Sequence, residues 1–283
     1  MARAVSLALI LAGGLAAILS PLAASACPEP EPCQLPAGAY RALMPPDRPP
    51  QGVLLFLHGW GGTAEGMLGV ARIVEPALAR GYAVVAPQGA PRRDGDAGGA
   101  WNAVAEPGRR DDVAFLRAVL DDASARFAVP RGRVLAAGFS GGGMMVWRLA
   151  CDAPESAAAF APIAGLLWRP LPVRCAGPVR LLHAHGWRDE IVPMEGRAVA
   201  DGRLVQGDLF DGLALLRAAN GCAADAPDLH DGRGPFLRRF WTSCAPGAAL
   251  GLALFDEGHR TPEGWAGMAL DWFEEVAPPL TAP

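Results

Sequence analysis

The chain contains no lysine. Its 25 basic side chains are all arginine, set against 29 carboxylates for a formal net charge of −4. That mildly acidic balance argues against nucleic acid or an anionic membrane surface as a partner. Without lysine the phosphate-loop pattern Gly-Lys-[Ser/Thr] cannot occur. The exclusive use of arginine reads as compositional bias, not as a phosphate-binding signal. Histidine is scarce, with five residues in 283, so each one can be weighed singly. The six cysteines include no Cys-x-x-Cys pair, which argues against a zinc site, and no cofactor or metal is expected.

What is present fits one large α/β domain: 51% hydrophobic and 19% charged residues over a length that can bury a sizeable core. The N-terminus reads as a signal peptide over residues 1–26. It has Arg3, an apolar stretch from Val5 to Ile18 broken by Gly13-Gly14, and the small-residue cleavage site Ala24-Ser25-Ala26. The apolar stretch is short for a spanning helix, so no membrane span is expected in the mature chain. A lipoprotein signal would carry Leu three residues before Cys27, where Ala24 stands. A secreted or periplasmic location follows. All six cysteines lie beyond the leader, and an even count in an oxidising compartment points to disulfides. Sequential pairing, Cys27–Cys33, Cys151–Cys175 and Cys222–Cys244, is the simplest arrangement.

Residues 27–50 form a Pro-rich lead-in with an edge hairpin expected around Gly38–Arg41. Residues 51–283 form the single α/β domain. Continuous apolar strands are expected at Val53–Leu57, Tyr82–Ala86, Val134–Phe139, Ala158–Ile163, Val179–Ala184 and Leu250–Phe255, as in a mostly parallel sheet covered on both faces. Helices are expected at Ala64–Ala79, where Pro76 counts against an unbroken run, and at Asp111–Phe127, Leu209–Ala219 and Pro262–Val276. The segment from Gln88 to Arg110 is too long for an idle connection and is expected to border a site. The remainder of 200–240 is expected to be an irregular loop over that site.

The chemistry starts from Gly138-Phe139-Ser140-Gly141-Gly142, which follows an apolar strand and runs straight into a helical segment from Met144 to Cys151. This strand–turn–helix context is that of a nucleophile elbow with Ser140 exposed at its tip. A serine needs a base, and the base an orienting acid. Such groups gather at the carboxyl ends of strands in open α/β sheets. Asp189 and His259 each follow a strand there, in the chain order Ser, Asp, His. Glu190 is the rival acid and His230 the rival base. His183-x-His185 is read as a hydrogen-bonded pair at a strand end, with metal ligation as the alternative. The backbone amides of Gly141 and Trp60 are the candidate oxyanion donors, the latter from the turn Leu57-His58-Gly59-Trp60-Gly61-Gly62. Trp101 and Trp187 are candidate substrate-binding residues.

Those motifs, with Ala161-Pro162-Ile163-Ala164-Gly165 and His185-Gly186-Trp187-Arg188-Asp189-Glu190-Ile191-Val192-Pro193, resemble the poly(3-hydroxybutyrate) depolymerase and feruloyl esterase-like family of secreted α/β hydrolases. The resemblance spans roughly residues 36–275. It implies an α/β-hydrolase fold and an exported serine esterase in which Ser140 is nucleophile, Asp189 acid and His259 base. The segment Asn220-Gly221-Cys222 with Trp241 and Cys244 is also similar to that family and supports the Cys222–Cys244 pair. Departures at Gly141, Trp60, Trp187 and Arg260-Thr261-Pro262 touch the pocket and not the three acting side chains. The expected partner is a small or oligomeric ester. Two other classes remain: an acyltransferase on the same residues, and a non-catalytic ligand-binding protein.

Overall fold

The computed structural model describes residues 27, 31–93 and 95–277. The expected leader lies outside the described residues. Ten strands form the main sheet: β1 (Cys33–Leu35), β2 (Gly38–Leu43), β3 (Gly52–Leu57), β4 (Tyr82–Pro87), β5 (Val134–Phe139), β6 (Ala159–Ile163), β7 (Arg180–Gly186), β8 (Leu229–Arg233), β9 (Phe236–Trp241) and β10 (Ala249–Phe255). Their spatial order is β1-β2-β4-β3-β5-β6-β7-β10-β9-β8. The six strands from β4 to β10 in that order run parallel, and an antiparallel pair flanks them at each edge. The sheet is therefore mixed but mostly parallel, as the α/β-hydrolase expectation requires.

Side-chain alternation divides the core in two. Val53, Leu55 and Leu57 of β3 face one layer, with α3 (Asp112–Phe127), α4 (Gly141–Asp152) and α5 (Leu209–Ala219). Leu54 and Phe56 face the other, with α1 (Ala64–Leu68), α2 (Ala71–Ala79) and α6 (Trp265–Val276). Both faces are covered, which explains why β3 and β4 are buried along their whole length. Helix α3 starts where expected because Asp111 Oδ1 accepts the Ala114 N–H at 3.1 Å.

Two expectations need correction. The helix expected over Ala64–Ala79 breaks at Gly69-Val70, where Gly69 caps α1; Pro76 sits inside α2. The cap wins because the Gly69 N–H bonds back to Glu65, whereas Pro76 withdraws a single donor from α2. The segment 229–241 is not a loop over the site. It forms β8 and β9, an antiparallel hairpin that extends the sheet beyond β10. Along β9 Phe236 and Arg238 are buried while Leu237 and Arg239 between them are exposed, an alternation that the two central arginines conceal in the sequence.

The hairpin around Gly38–Arg41 forms as β1–β2. Cysteines pair sequentially, 27 with 33, 151 with 175 and 222 with 244. Among the described residues no helix is long and apolar enough to cross a membrane.

Candidate active site

Ser140, Asp189 and His259 leave the carboxyl ends of β5, β7 and β10. Because β6 and β7 separate β5 from β10, the connecting loops must fold over the sheet end to meet. Ser140 stands between β5 and α4 with φ 56° and ψ −121°, a backbone conformation that non-glycine residues rarely adopt. The turn is held by the Ser140 N–H to Ile163 O and the Met144 N–H to Ser140 O, both 2.9 Å. Its tightness needs Gly142: a Cβ there would lie 2.2 Å from the carbonyl oxygen of Leu57. Likewise a Cβ on Gly186 would lie 2.3 Å from Glu257 O, so the loops carrying Asp189 and His259 close on bare backbone. They are joined by Trp187 N–H to Phe255 O at 3.1 Å and Arg188 N–H to Glu257 O at 3.2 Å.

The three side chains form one row. His259 Nε2 lies 2.9 Å from Ser140 Oγ, and His259 Nδ1 lies 2.7 Å from Asp189 Oδ2. The other carboxylate oxygen, Asp189 Oδ1, accepts the N–H groups of Ile191 at 2.9 Å and Val192 at 2.8 Å. Burial pushes the Asp189 carboxyl up, but the hydrogen bonds from His259 and the Val192 amide outweigh it and hold the group below the usual carboxylate range. Asp189 is therefore ionised while buried. A hydroxyl, an imidazole and a carboxylate in this order can pass a proton from oxygen to nitrogen and stabilise the resulting cation.

Behind Asp189 runs a second row that the sequence shows only in outline. Trp147 Nε1–H donates to His183 Nδ1 at 3.0 Å. His183 Nε2 faces His185 Nδ1 at 2.9 Å, and His185 Nε2 faces Val192 O at 2.8 Å. Indole only donates and a carbonyl only accepts, so the direction is forced: each imidazole is neutral and carries its proton on Nε2. Burial keeps both imidazoles neutral, His183 well below the ordinary value. With both nitrogens of each ring engaged, the pair is the hydrogen-bonded network expected, and neither offers a lone pair to a metal.

The Trp60 turn is fixed by His58, which the sequence shows only as a member of that turn. His58 Nδ1–H donates to Gly59 O at 2.7 Å, and His58 Nε2 accepts the Gly89 N–H at 3.0 Å. Trp101 Nε1–H bonds His58 O at 2.8 Å. The sequence signal for His58 was its adjacency to the glycine-rich turn. A Cβ on Gly141 would lie 3.3 Å from Trp60 N, so the Trp60 backbone packs directly against Gly141. Gly141 opens α4, where an N–H has no intrahelical acceptor, and the Trp60 N–H has no acceptor among the described residues.

A cavity of about 570 Å³ opens beside Ser140 and Gly141, lined by Trp60, Trp101, Met144 and Trp168 among others. The 88–110 segment therefore borders the site as expected. It is anchored by buried Asp112, which accepts from Asn102 N at 2.6 Å and Arg110 Nε at 2.5 Å. Trp187 does not line this cavity; its Nε1–H bonds Asp256 Oδ1 at 2.8 Å and the ring is partly exposed. The rivals stand apart. His230 is exposed on the edge strand β8 beside Arg239, and exposed Glu190 forms no hydrogen bond or ion pair with His259, whose partners are Asp189 and Ser140.

Residues 39–206 match the family described as phospholipase/carboxylesterase, a span that holds Ser140 and Asp189 but not His259. Among curated proteins, NocK of Nocardia uniformis subsp. tsuyamanensis, named as an esterase, is 37% identical over 172 residues, covering 57% of this chain and 48% of that protein. A protein of Aspergillus terreus (strain NIH 2624 / FGSC A1156), named as feruloyl esterase C, is 26% identical over 154 residues, 53% of this chain and 50% of its own length. The chain thus spans about half the length of these relatives. Among solved structures, acetyl xylan esterase from Aspergillus awamori superposes with a TM-score of 0.60 at 14% identity, covering 83% of this chain and 93% of that one. The Bacillus cereus carboxylesterase gives 0.54 at 17% identity, with 84% and 94% covered. At such identities the likeness is one of fold.

Proposed function

This chain belongs to the phospholipase/carboxylesterase family, and from that premise we propose that it is an exported serine esterase that hydrolyses carboxylic esters. One observation carries the reading: the hydrogen-bonded row Ser140 Oγ, His259 Nε2 and Nδ1, Asp189 Oδ2. In this reading His259 Nε2 takes the Ser140 proton as Oγ attacks the ester carbonyl. The oxyanion is held by the Gly141 and Trp60 amides. The tetrahedral intermediate collapses, the alcohol oxygen leaves with the proton from His259, and an acyl-serine remains. Water then attacks that ester, giving one proton to His259, which returns it to Ser140 as the acid departs. Asp189 orients the imidazole and balances its charge.

The substrate proposal is a hydroxybutyrate-type oligomer, or an ester of an aromatic or acetyl acid, with the acyl group in the tryptophan-lined cavity beside Ser140. The relatives named as esterases and the aromatic lining support this. Export from the cell through a cleaved leader over residues 1–26, to the periplasm or beyond, is part of the same proposal. Three disulfides support an oxidising destination. The test is hydrolysis of short-chain aryl esters by wild type, Ser140→Ala and His259→Ala. The expected result is turnover by wild type and a loss of about 10³-fold or more in each variant. Equal rates in Ser140→Ala contradict the reading.

A further inference from the structure

A second cavity, of about 470 Å³, lies beside His259. It shares no lining residue with the cavity at Ser140: Ser140, Gly141 and Trp60 border the one, His259, Phe139 and Arg260 the other. Its interior is apolar, with Phe56, Met67 and Ile73 from β3, α1 and α2.

We propose that this second cavity receives the alcohol half of the ester, and that this half is an apolar alcohol and not a sugar. The assignment rests on the serine-esterase reading above. The carbonyl carbon must sit against Ser140 Oγ with its oxygen at the Gly141 and Trp60 amides, which places the acyl chain in the cavity those residues line. The departing oxygen must reach His259 Nε2 to collect its proton, so the alcohol it carries extends on the His259 side.

The chemistry of the lining selects the class of alcohol. Both nitrogens of His58 are already engaged, with Gly59 O and the Gly89 N–H. Thr63 Oγ1 accepts the Gly66 N–H at 2.9 Å. Arg72 and Arg260 are paired with Glu263 at 3.7 Å and Glu257 at 3.1 Å, on exposed side chains at the mouth. Besides the Thr261 hydroxyl, little is left inside to replace water around a polyhydroxylated alcohol. An aryl or alkyl alcohol brings no such demand and buries against Phe56, Met67, Ile73 and Phe139.

The test offers the full chain three butyrate esters: methyl butyrate, 2-naphthylmethyl butyrate and a butyrate monoester of methyl xyloside. Methyl and naphthylmethyl alcohols are similar leaving groups, so their difference reports binding. Wild type is expected to show a kcat/KM at least tenfold higher for the naphthylmethyl ester than for the xyloside ester. Val70→Phe narrows the second cavity from a half-buried position. It should lower the naphthylmethyl-to-methyl ratio at least tenfold, with the drop on acylation and not on deacylation, since the alcohol has left by then. Val70→Ala should raise that ratio. Val199→Trp, at the other cavity, should alter dependence on acyl length without moving the alcohol ratio. A wild-type preference for the xyloside, or a ratio moved by Val199→Trp and not by either Val70 variant, overturns the assignment while esterase activity stands. Absence of all ester turnover overturns the assignment and the underlying reading together.

Discussion

His185 donates from Nε2 to the carbonyl oxygen of Val192 at 2.8 Å, while the N–H of that same Val192 donates to Asp189 Oδ1, also at 2.8 Å. One peptide segment is thus clamped from behind by a neutral imidazole and in front holds the carboxylate that meets His259. The position of Asp189 depends on a chain that begins at Trp147 in α4, the helix that Ser140 itself precedes.

Replacing His185 by Leu leaves His183 Nε2–H and Val192 O without partners in a dry interior. The expected consequence is a fall in kcat/KM of about 10²-fold, because a displacement of roughly 1 Å in an acting group has that effect. Far-ultraviolet circular dichroism should still report the folded chain. Steady-state kinetics on a short-chain ester checks this. A loss smaller than twofold in a folded variant shows that Asp189 does not rely on the clamp.

Buried neutral histidines also set the acid stability. Burial holds His58, His183 and His185 below their ordinary value of 6.5. Below that pH the unfolded chain binds protons that the folded chain refuses, so stability falls as pH falls. The slope is about 1.4 kcal/mol per pH unit for each such group until its folded value is reached. Asp189 acts in the same sense lower down: its depressed carboxyl stabilises the fold above its ordinary value of 3.8 and is lost as pH drops through the folded one. Urea midpoints should therefore decline steadily from pH 7 to pH 5. A midpoint that stays level across that interval contradicts the neutral assignment of these three histidines.

Backbone packing at the elbow gives a sharper contrast. Gly142→Ala would place a Cβ 2.2 Å from Leu57 O and 2.6 Å from His58 O, atoms fixed by the sheet and the Trp60 turn. A destabilisation of about 3 kcal/mol or more is expected. Gly267→Ala in α6 meets nothing within 4 Å and should stabilise by about 0.5–1 kcal/mol through helix propensity. Chemical denaturation of the two variants separates the outcomes; equal shifts would mean that the elbow can relax.

Much of this was legible in the sequence because it is local. The apolar strand before Gly138, the helix after Gly143, and the placement of Asp189 and His259 after later strands are all properties of short segments. The parts that were not legible depend on contacts distant in the chain. Phe236 and Arg238 are buried only because β10 pairs beside them, so the 229–241 hairpin reads as loop until the sheet is built. The direction of the Trp147–His183–His185 row requires its two ends to be known, and they lie on different elements. Trp187 is adjacent to Asp189 in outline, yet its bond to Asp256 directs it away from the cavity.

Activation of Ser140 as a nucleophile by His259 is tested most directly by the mass of the protein after treatment with a fluorophosphonate. The expected result is one covalent adduct per chain, mapped to the peptide carrying Ser140, absent from Ser140→Ala and slowed at least 10²-fold in His259→Ala. A wild-type chain that acquires no adduct, or one labelled equally in Ser140→Ala, contradicts it.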